Sequence, residues 1–401
     1  MSDVQVLFAV LAGLYLWECA CWLRRDAVAV ATWLGTRWQL LQPGTLVGNQ
    51  RGGFVLAPPL PPLGSFLAAN QLPFTLAPEG VLFFVATNVN PGWRAAHSGR
   101  YFRFDEVQEV RADRKKLYVN GRLLLRTTSP GYARHLAEIL HTLKHTPAKQ
   151  RTEAIQSILR ASLDTRAVEQ RWNEATQCGK PIRRLANVLF ILLFIAAPAL
   201  IWRLGFGLSW PWLLAGLLAL TISIAVCFRR GHRRLFPKLD DERFTFTLTV
   251  ALAPTSALRA HDLLTRHACE TFHPLAVAKV FLPPADFEKF AGWVLRDLRH
   301  PAQPVCPDNS QEILAVEAQG RGALLETVEI FLRRTNLNLA QLLCAPESME
   351  GCQAYCPRCE TQFTSTNSQC ADCGGLAVVA FAHDKKPLGG SPKSDPGVQS
   401  N

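Results

Sequence analysis

Two apolar stretches with arginines at their ends restrict this chain more than any other feature. Val4–Leu23 (VQVLFAVLAGLYLWECACWL) carries Glu18 as its sole charge, and Leu185–Phe228 is interrupted only by Arg203. A bilayer core of about 30 Å takes roughly 20 apolar helical residues to cross. The expectation is therefore three transmembrane helices, at 4–23, 185–203 and 210–228, the last two forming a hairpin. A cleaved signal peptide would want a basic start and a small-residue cleavage site. Here the start is Met1-Ser2-Asp3 and the run ends Cys21-Trp22-Leu23-Arg24-Arg25, so the segment reads as an uncleaved anchor.

Cationic flanks stay on the cytosolic side of a membrane. Lys180, Arg183 and Arg184 precede the hairpin, Arg229, Arg230, Arg233 and Arg234 follow it, and Trp202, Trp210 and Trp212 cluster at its far end. The three orientations agree on a multi-pass membrane protein with the N-terminus outside and the C-terminus cytosolic. Two buried core helices of a soluble protein are the competing reading, and it leaves the flanking charges unexplained. Glu18 would cost about 3 kcal/mol at mid-membrane. Its position about one and a half turns before Arg24 lets it reach the inner interface instead of serving a proton or ion path.

The 43 basic against 32 acidic residues give a formal charge of +11. Nucleic-acid binding, attraction to anionic lipid and the inner-side excess of a membrane protein all fit such a sum. Much of the excess flanks the apolar stretches, which favours the last. The twelve cysteines do not form a secreted disulfide pattern: four make two Cys-x-x-Cys pairs, while Cys19, Cys21 and Cys227 lie in apolar helices. Paired Cys-x-x-Cys spacing in a reducing compartment points to metal binding.

Between the apolar stretches the pattern changes. Residues 38–146 read as a β-rich cytosolic domain closed by a helix, with strand-like pieces GFVLAPPLPPLG, FTLAPEGVLFFVAT and YFRFDEVQEV. Asn120-Gly121 between two apolar runs predicts a type I′ hairpin, because both residues tolerate positive φ. Ser129 can cap the closing helix, Pro130 fits its first turn, and Ala133, Leu136, Ala137, Leu140 and Leu143 recur at helical spacing. This order, with the FDEVQEV strand and the Asn-Gly hairpin, resembles the bacterial pleckstrin-homology-like domain; the resemblance implies a binding or scaffolding module. Residues 147–184 read as a helical connector with Ile155, Ile158, Leu159 and Leu163 on one side.

Residues 243–345 read as a second, α+β cytosolic region. Phe244, Phe246, Leu248 and Val250 alternate with threonines, a period of two that predicts a half-buried strand. Ser256 would then cap a helix presenting Ala260, Leu263, Leu264 and Ala268. A second helix after Pro283-Pro284 presents Phe287, Phe290, Val294 and Leu298, and an apolar helical stretch over 313–343 is interrupted near Gly320 and Gly322. His261, His267 and His273 are spaced by six, which turns each about 240° from the last and keeps them off one helical face. They read as ordinary core or surface histidines, and Asp240-Asp241-Glu242 as a solvated turn.

The strongest chemical signal is at the end. Cys356-Pro357-Arg358-Cys359 and Cys370-Ala371-Asp372-Cys373-Gly374-Gly375 place four thiols where zinc can take a tetrahedral shell. Residues 352–382 therefore read as a zinc ribbon with a structural ion, and 384–401 as a disordered tail. Cys352 is a poorer alternative ligand on spacing. A redox dithiol usually needs one Cys-x-x-Cys on a larger fold. Together with Phe272–Ala278 (FHPLAVA) and Phe287–Pro301 (FEKFAGWVLRDLRHP), the CPRC and CADCGG knuckles resemble a group of uncharacterised bacterial multi-pass membrane proteins. That resemblance implies the architecture and no activity.

The expected fold class is thus an α+β membrane protein with three transmembrane helices, two cytosolic regions and a zinc ribbon. No catalytic motif is present: the chain has no glycine-rich phosphate loop with lysine, no HExxH, no Gly-x-Ser-x-Gly and no spaced acid pair within a span. The expected function is a membrane-anchored interaction or scaffold protein, with the bilayer and a cytosolic protein as partners. Nucleic-acid binding through the ribbon is the alternative, weakened because Arg358 is the ribbon's sole basic residue against Glu360 and Asp372. A transporter or enzyme assembled from scattered residues is the third reading.

Overall fold

The computed structural model describes residues 5–6, 8–10, 12–13, 39–40, 54–57, 67–70, 72–86, 97–127, 129–300, 311–373 and 375–381. Within Val4–Leu23 the described residues are helical, and the rest of that expected span, Glu18 included, lies outside them, as does 384–401. Residues 1–299 and 304–343 belong to one compact unit; 300–303 and 344–401 belong to another.

In the first unit, β1 (Gln39–Leu40), β2 (Phe54–Ala57) and β3 (Leu67–Ala69) make a small antiparallel sheet. Two three-stranded antiparallel meanders follow. One joins β4 (Phe74–Leu76), β5 (Gly80–Ala86) and β6 (His97–Arg103); the other joins β7 (Val110–Asp113), β8 (Lys116–Val119) and β9 (Arg122–Arg126). Asn120 and Gly121 take φ of 50° and 72°, the left-handed pair that a tight hairpin needs. The expected FDEVQEV strand is instead a turn and loop over 104–109. Its backbone groups are taken by the Asn120 side chain, which accepts from the Gln108 and Glu109 amides at 2.8 and 3.1 Å and donates to the Glu106 carbonyl at 2.9 Å. Phe104 and Val107 still reach the core.

Helix α1 (Pro130–His145) closes these strands. The Ser129 hydroxyl accepts the Tyr132 amide at 3.0 Å, as an N-cap should. Ala133, Leu136, Leu140 and Leu143 are buried. Helix α2 (Ala148–Ser162) adds Ile155 and Leu159 to the same core.

Asp164 caps α3 (Thr165–Ile191), accepting from the Arg166 and Ala167 amides. A π turn, Leu192–Ala196, carries the helix into α4 (Ala197–Leu235). This stretch, Thr165–Leu235, is the one described helix long and apolar enough to cross a membrane, where the sequence had predicted three. It is not straight. Gly205 has φ 77° and ψ 161°, a conformation essentially reserved for glycine, and the chain reverses there. A Cβ on Gly216 would lie 3.6 Å from Leu192, and one on Gly231 would lie 3.5 Å from the Cys178 carbonyl, so the two arms run antiparallel. Toward the tip, Trp202, Leu208 and Trp212 stand exposed; toward the base, Ile224, Phe228 and Leu235 are buried.

In the expected α+β region every regular element among the described residues is a helix: α5 (Asp240–Leu252), α6 (Pro254–Leu258), α7 (Ala260–Thr265), α8 (Pro274–Phe281), α9 (Pro284–Arg299), α10 (Gln311–Arg334) and α11 (Leu339–Leu342). The predicted strand at 243–252 is therefore overturned. The available partner is a helix, α4, and Phe246 and Val250, four residues apart, fit its side, with the Phe246 ring 6.5 Å from that of Phe228. The threonines do not object. Thr247 and Thr249 donate to carbonyls four residues back, at 2.6 and 2.9 Å. Ser256 lies inside α6, whose N-cap position is Ala253, and α7 follows Arg259 without a side-chain cap. Phe287, Phe290, Val294 and Leu298 are buried as expected.

Helix α10 is continuous, and Gly320 is a contact in it, not an interruption. A Cβ there would sit 2.5 Å from the Leu76 carbonyl oxygen and crowd Thr75 as well, so glycine is what lets α10 lie on β4. Gly320→Ala should cost about 1–3 kcal/mol by overpacking, because backbone cannot step aside. Thermal unfolding of the purified protein would show it as a lowered midpoint; an unchanged midpoint would mean α10 is free to shift off the sheet.

Candidate metal centre

The second unit is small and organised around sulfur. Strand β10 (Ala354–Tyr355) pairs antiparallel with β11 (Gln362–Phe363) and β14 (Val379–Ala380), and β12 (Gln369–Cys370) pairs with β13 (Leu376–Ala377). The first knuckle fills the turn between β10 and β11. There the Glu360 amide donates to the Cys356 carbonyl and the Cys356 amide to the Thr361 carbonyl, both at 2.9 Å. Glu360 takes φ 63° to close that turn, a left-handed position a side chain occupies at some cost. In the second knuckle the Cys373 and Gly375 amides both donate to the Cys370 carbonyl, and Gly375 supplies the left-handed residue at φ 88°.

These turns bring Cys356, Cys359, Cys370 and Cys373 together, with all four sulfur atoms within 4.8 Å of one another. A tetrahedron with metal–sulfur bonds of about 2.3 Å has sulfur–sulfur edges of about 3.8 Å; the Cys359 and Cys370 sulfurs are already 3.6 Å apart. The site can hold a metal ion. Cys356, Cys370 and Cys373 are buried beneath Phe363 and Leu376, while Cys359 is exposed. Burial and the neighbouring sulfurs push Cys370 up to about 11 and Cys373 higher still. Burial also opposes ionisation of Cys359, but hydrogen bonding to Thr361, whose Oγ1 is 3.2 Å from the sulfur, brings it down to about 7. Four thiolates this close repel one another unless a cation lies between them. Cys352, the alternative ligand on spacing, is outside the cluster.

The three histidines do not converge. His261 is buried in α7, and a Cβ on Gly179 would touch its ring. His273 is buried and caps α8, its Nδ1 accepting the Leu275 amide at 3.2 Å. His267 places Nδ1 2.7 Å from a carboxylate oxygen of Glu270. Asp240 stands in the first turn of α5 and pairs with Arg243 at 2.6 Å.

Glu270 was not singled out by sequence. Its buried carboxylate accepts the Ser129 hydroxyl on one oxygen and meets His267 on the other. Burial, then the Glu270 charge, raises the Tyr132 phenol above its ordinary value. The carboxylate stands between serine and histidine, so the serine has no histidine base and the set lacks the order of a nucleophilic triad. It fastens the start of α1 to the helical layer. With Ser129 and Glu270 141 positions apart in the chain, no local signal could have announced it.

The chain matches no known protein family, no curated protein and no solved structure.

Proposed function

We propose that this protein is a membrane-anchored interaction protein whose C-terminal module is stapled by zinc and docks another protein. The cluster of four sulfurs carries the reading. Zinc accepts tetrahedral thiolate coordination without geometric preference of its own, and four protein ligands leave no position for water or substrate. The ion would then be structural, and the module would act through its surface. In this reading the two arms around Gly205 cross the bilayer as a hairpin. Their exposed apolar tip and the exposed Arg229, Arg230, Arg233 and Arg234 at the base support that placement, with the base on the cytosolic side. Arm Phe206–Leu235 is about 45 Å long at 1.5 Å per residue, more than a bilayer core requires. The β4–β9 meanders closed by α1 would serve as a scaffold of pleckstrin-homology-like type.

The test is comparative cross-linking of the full-length protein in mild detergent. Wild type should hold a defined protein partner that Cys373→Ser loses by tenfold or more, while both remain in the membrane fraction. Identical captures from the two would sink the docking role. Metal analysis of the same preparation should return one zinc per chain for wild type and less for the variant.

A further inference from the structure

Helix α5 is the element the proposed function leaves unused. After the turn at 236–239 it folds back along α4, the Phe246 ring lying 6.4 Å from His232 and 6.5 Å from Phe228. Val250 is fully buried in the core that also holds Ile224 and Phe228. So α5 rises from the base of the hairpin toward its apolar part. Leu252 lies about 9 Å farther along than Phe246, at 1.5 Å per residue.

Its outer face is apolar and uncovered. Phe244, Leu248 and Leu252, at helical spacing, are 70%, 47% and 74% exposed. A matching row on α4, Leu218, Ile222 and Val226, is 49%, 55% and 45% exposed. Thr247 and Thr249 spend their hydroxyl protons on the helix's own carbonyls. That is how a threonine becomes compatible with hydrocarbon, which offers a free donor no acceptor. The bottom of the stripe is level with Arg229, Arg230, Arg233 and Arg234, all exposed. An apolar row rising from a cluster of arginines matches a phospholipid leaflet, acyl chains above and anionic headgroups below.

We infer that α5 is a lipid-facing helix of partial depth. Its Phe244–Leu248–Leu252 stripe lies in the leaflet at the hairpin base, and the four arginines of α4 hold anionic headgroups there. This rests on the hairpin crossing the membrane, and the test separates the two. The full-length protein would be placed in phosphatidylcholine vesicles with and without phosphatidylglycerol. It would carry one photoreactive residue: Ile222→p-benzoylphenylalanine on the hairpin, Leu248→p-benzoylphenylalanine or Leu252→p-benzoylphenylalanine on α5, or Lys149→p-benzoylphenylalanine on exposed α2. Lipid adducts at 222, 248 and 252 and none at 149 are expected. Lipid adducts at 222 with protein adducts or none at 248 and 252 would overturn this inference and leave the hairpin standing; a protein adduct there would place a second copy on the stripe. Failure at 222 as well would overturn both. Replacing the four arginines by glutamine should lower co-purified phosphatidylglycerol several-fold without changing phosphatidylcholine, and an unchanged ratio would overturn the headgroup contact.

Discussion

Stripping the proposed zinc from the full-length protein should unfold residues 352–381 and leave the helical unit folded. The module has almost nothing else to hold it. Its strands are two residues each, and its core is Cys356, Cys370 and Cys373 with Phe363 and Leu376 against them. A unit of this size buries too little apolar surface to offset its chain entropy. Structural zinc contributes about 10–16 kcal/mol in comparable peptides at neutral pH. Without an ion the sulfurs must share their site as thiols, and the left-handed Glu360 turn would rest on two backbone hydrogen bonds alone. Amide exchange at Glu360, Thr361 and Gly375 would report the event, rising by orders of magnitude on chelation. Cys373→Ser should do the same without a chelator, whereas Cys352→Ser, outside the cluster, should not. Full protection in the chelated protein would mean the knuckles fold on their own.

The second large effect is a loss of stability of the helical unit in mild acid. Burial lowers His273 to about 3, and burial with the nearby Arg183 charge lowers His261 to about 4. Both are neutral in the folded protein well below the ordinary value near 6.5. The unfolded chain therefore binds protons that the folded chain refuses, and stability falls as pH drops from about 6.5 toward those depressed values. At pH 5 each site accounts for about 2 kcal/mol, so about 4 kcal/mol together. Above pH 7 the two contribute no slope. Unfolding midpoints from pH 7.5 to 5 would trace this, and His273→Asn, which keeps a side-chain acceptor at the cap, should remove the His273 share, about 2 kcal/mol at pH 5. A flat profile in wild type would mean that water reaches both rings.

The parts legible in the sequence are those fixed by near neighbours. Asn120-Gly121 specifies its hairpin because only two residues must take positive φ. Ser129, Pro130 and the apolar spacing of α1 were readable because cap and face lie within one helix. The alternation over 243–252 predicts a strand, since a period of two is the local signal, yet α4 offers a helical surface instead of a sheet edge. Gly320 read as a break for the same reason: a glycine is ambiguous until something approaches it, and here β4 does. The loop over 104–109 looked strand-like until the Asn120 amide, more than ten residues away, took its hydrogen bonds.

By itself, the sequence determined the four-cysteine site and the apolar character of the 185–228 stretch. Both depend on composition and spacing over a few turns of chain, and the physics is local: sulfur within reach of sulfur, and apolar side chains without charges among them. Tertiary structure alone decided that α5 is a helix lying along α4 and that Glu270 meets Ser129. Each of these depends on which surface a residue finds opposite it, and residues far apart in the chain carry no mark of meeting until the chain has folded.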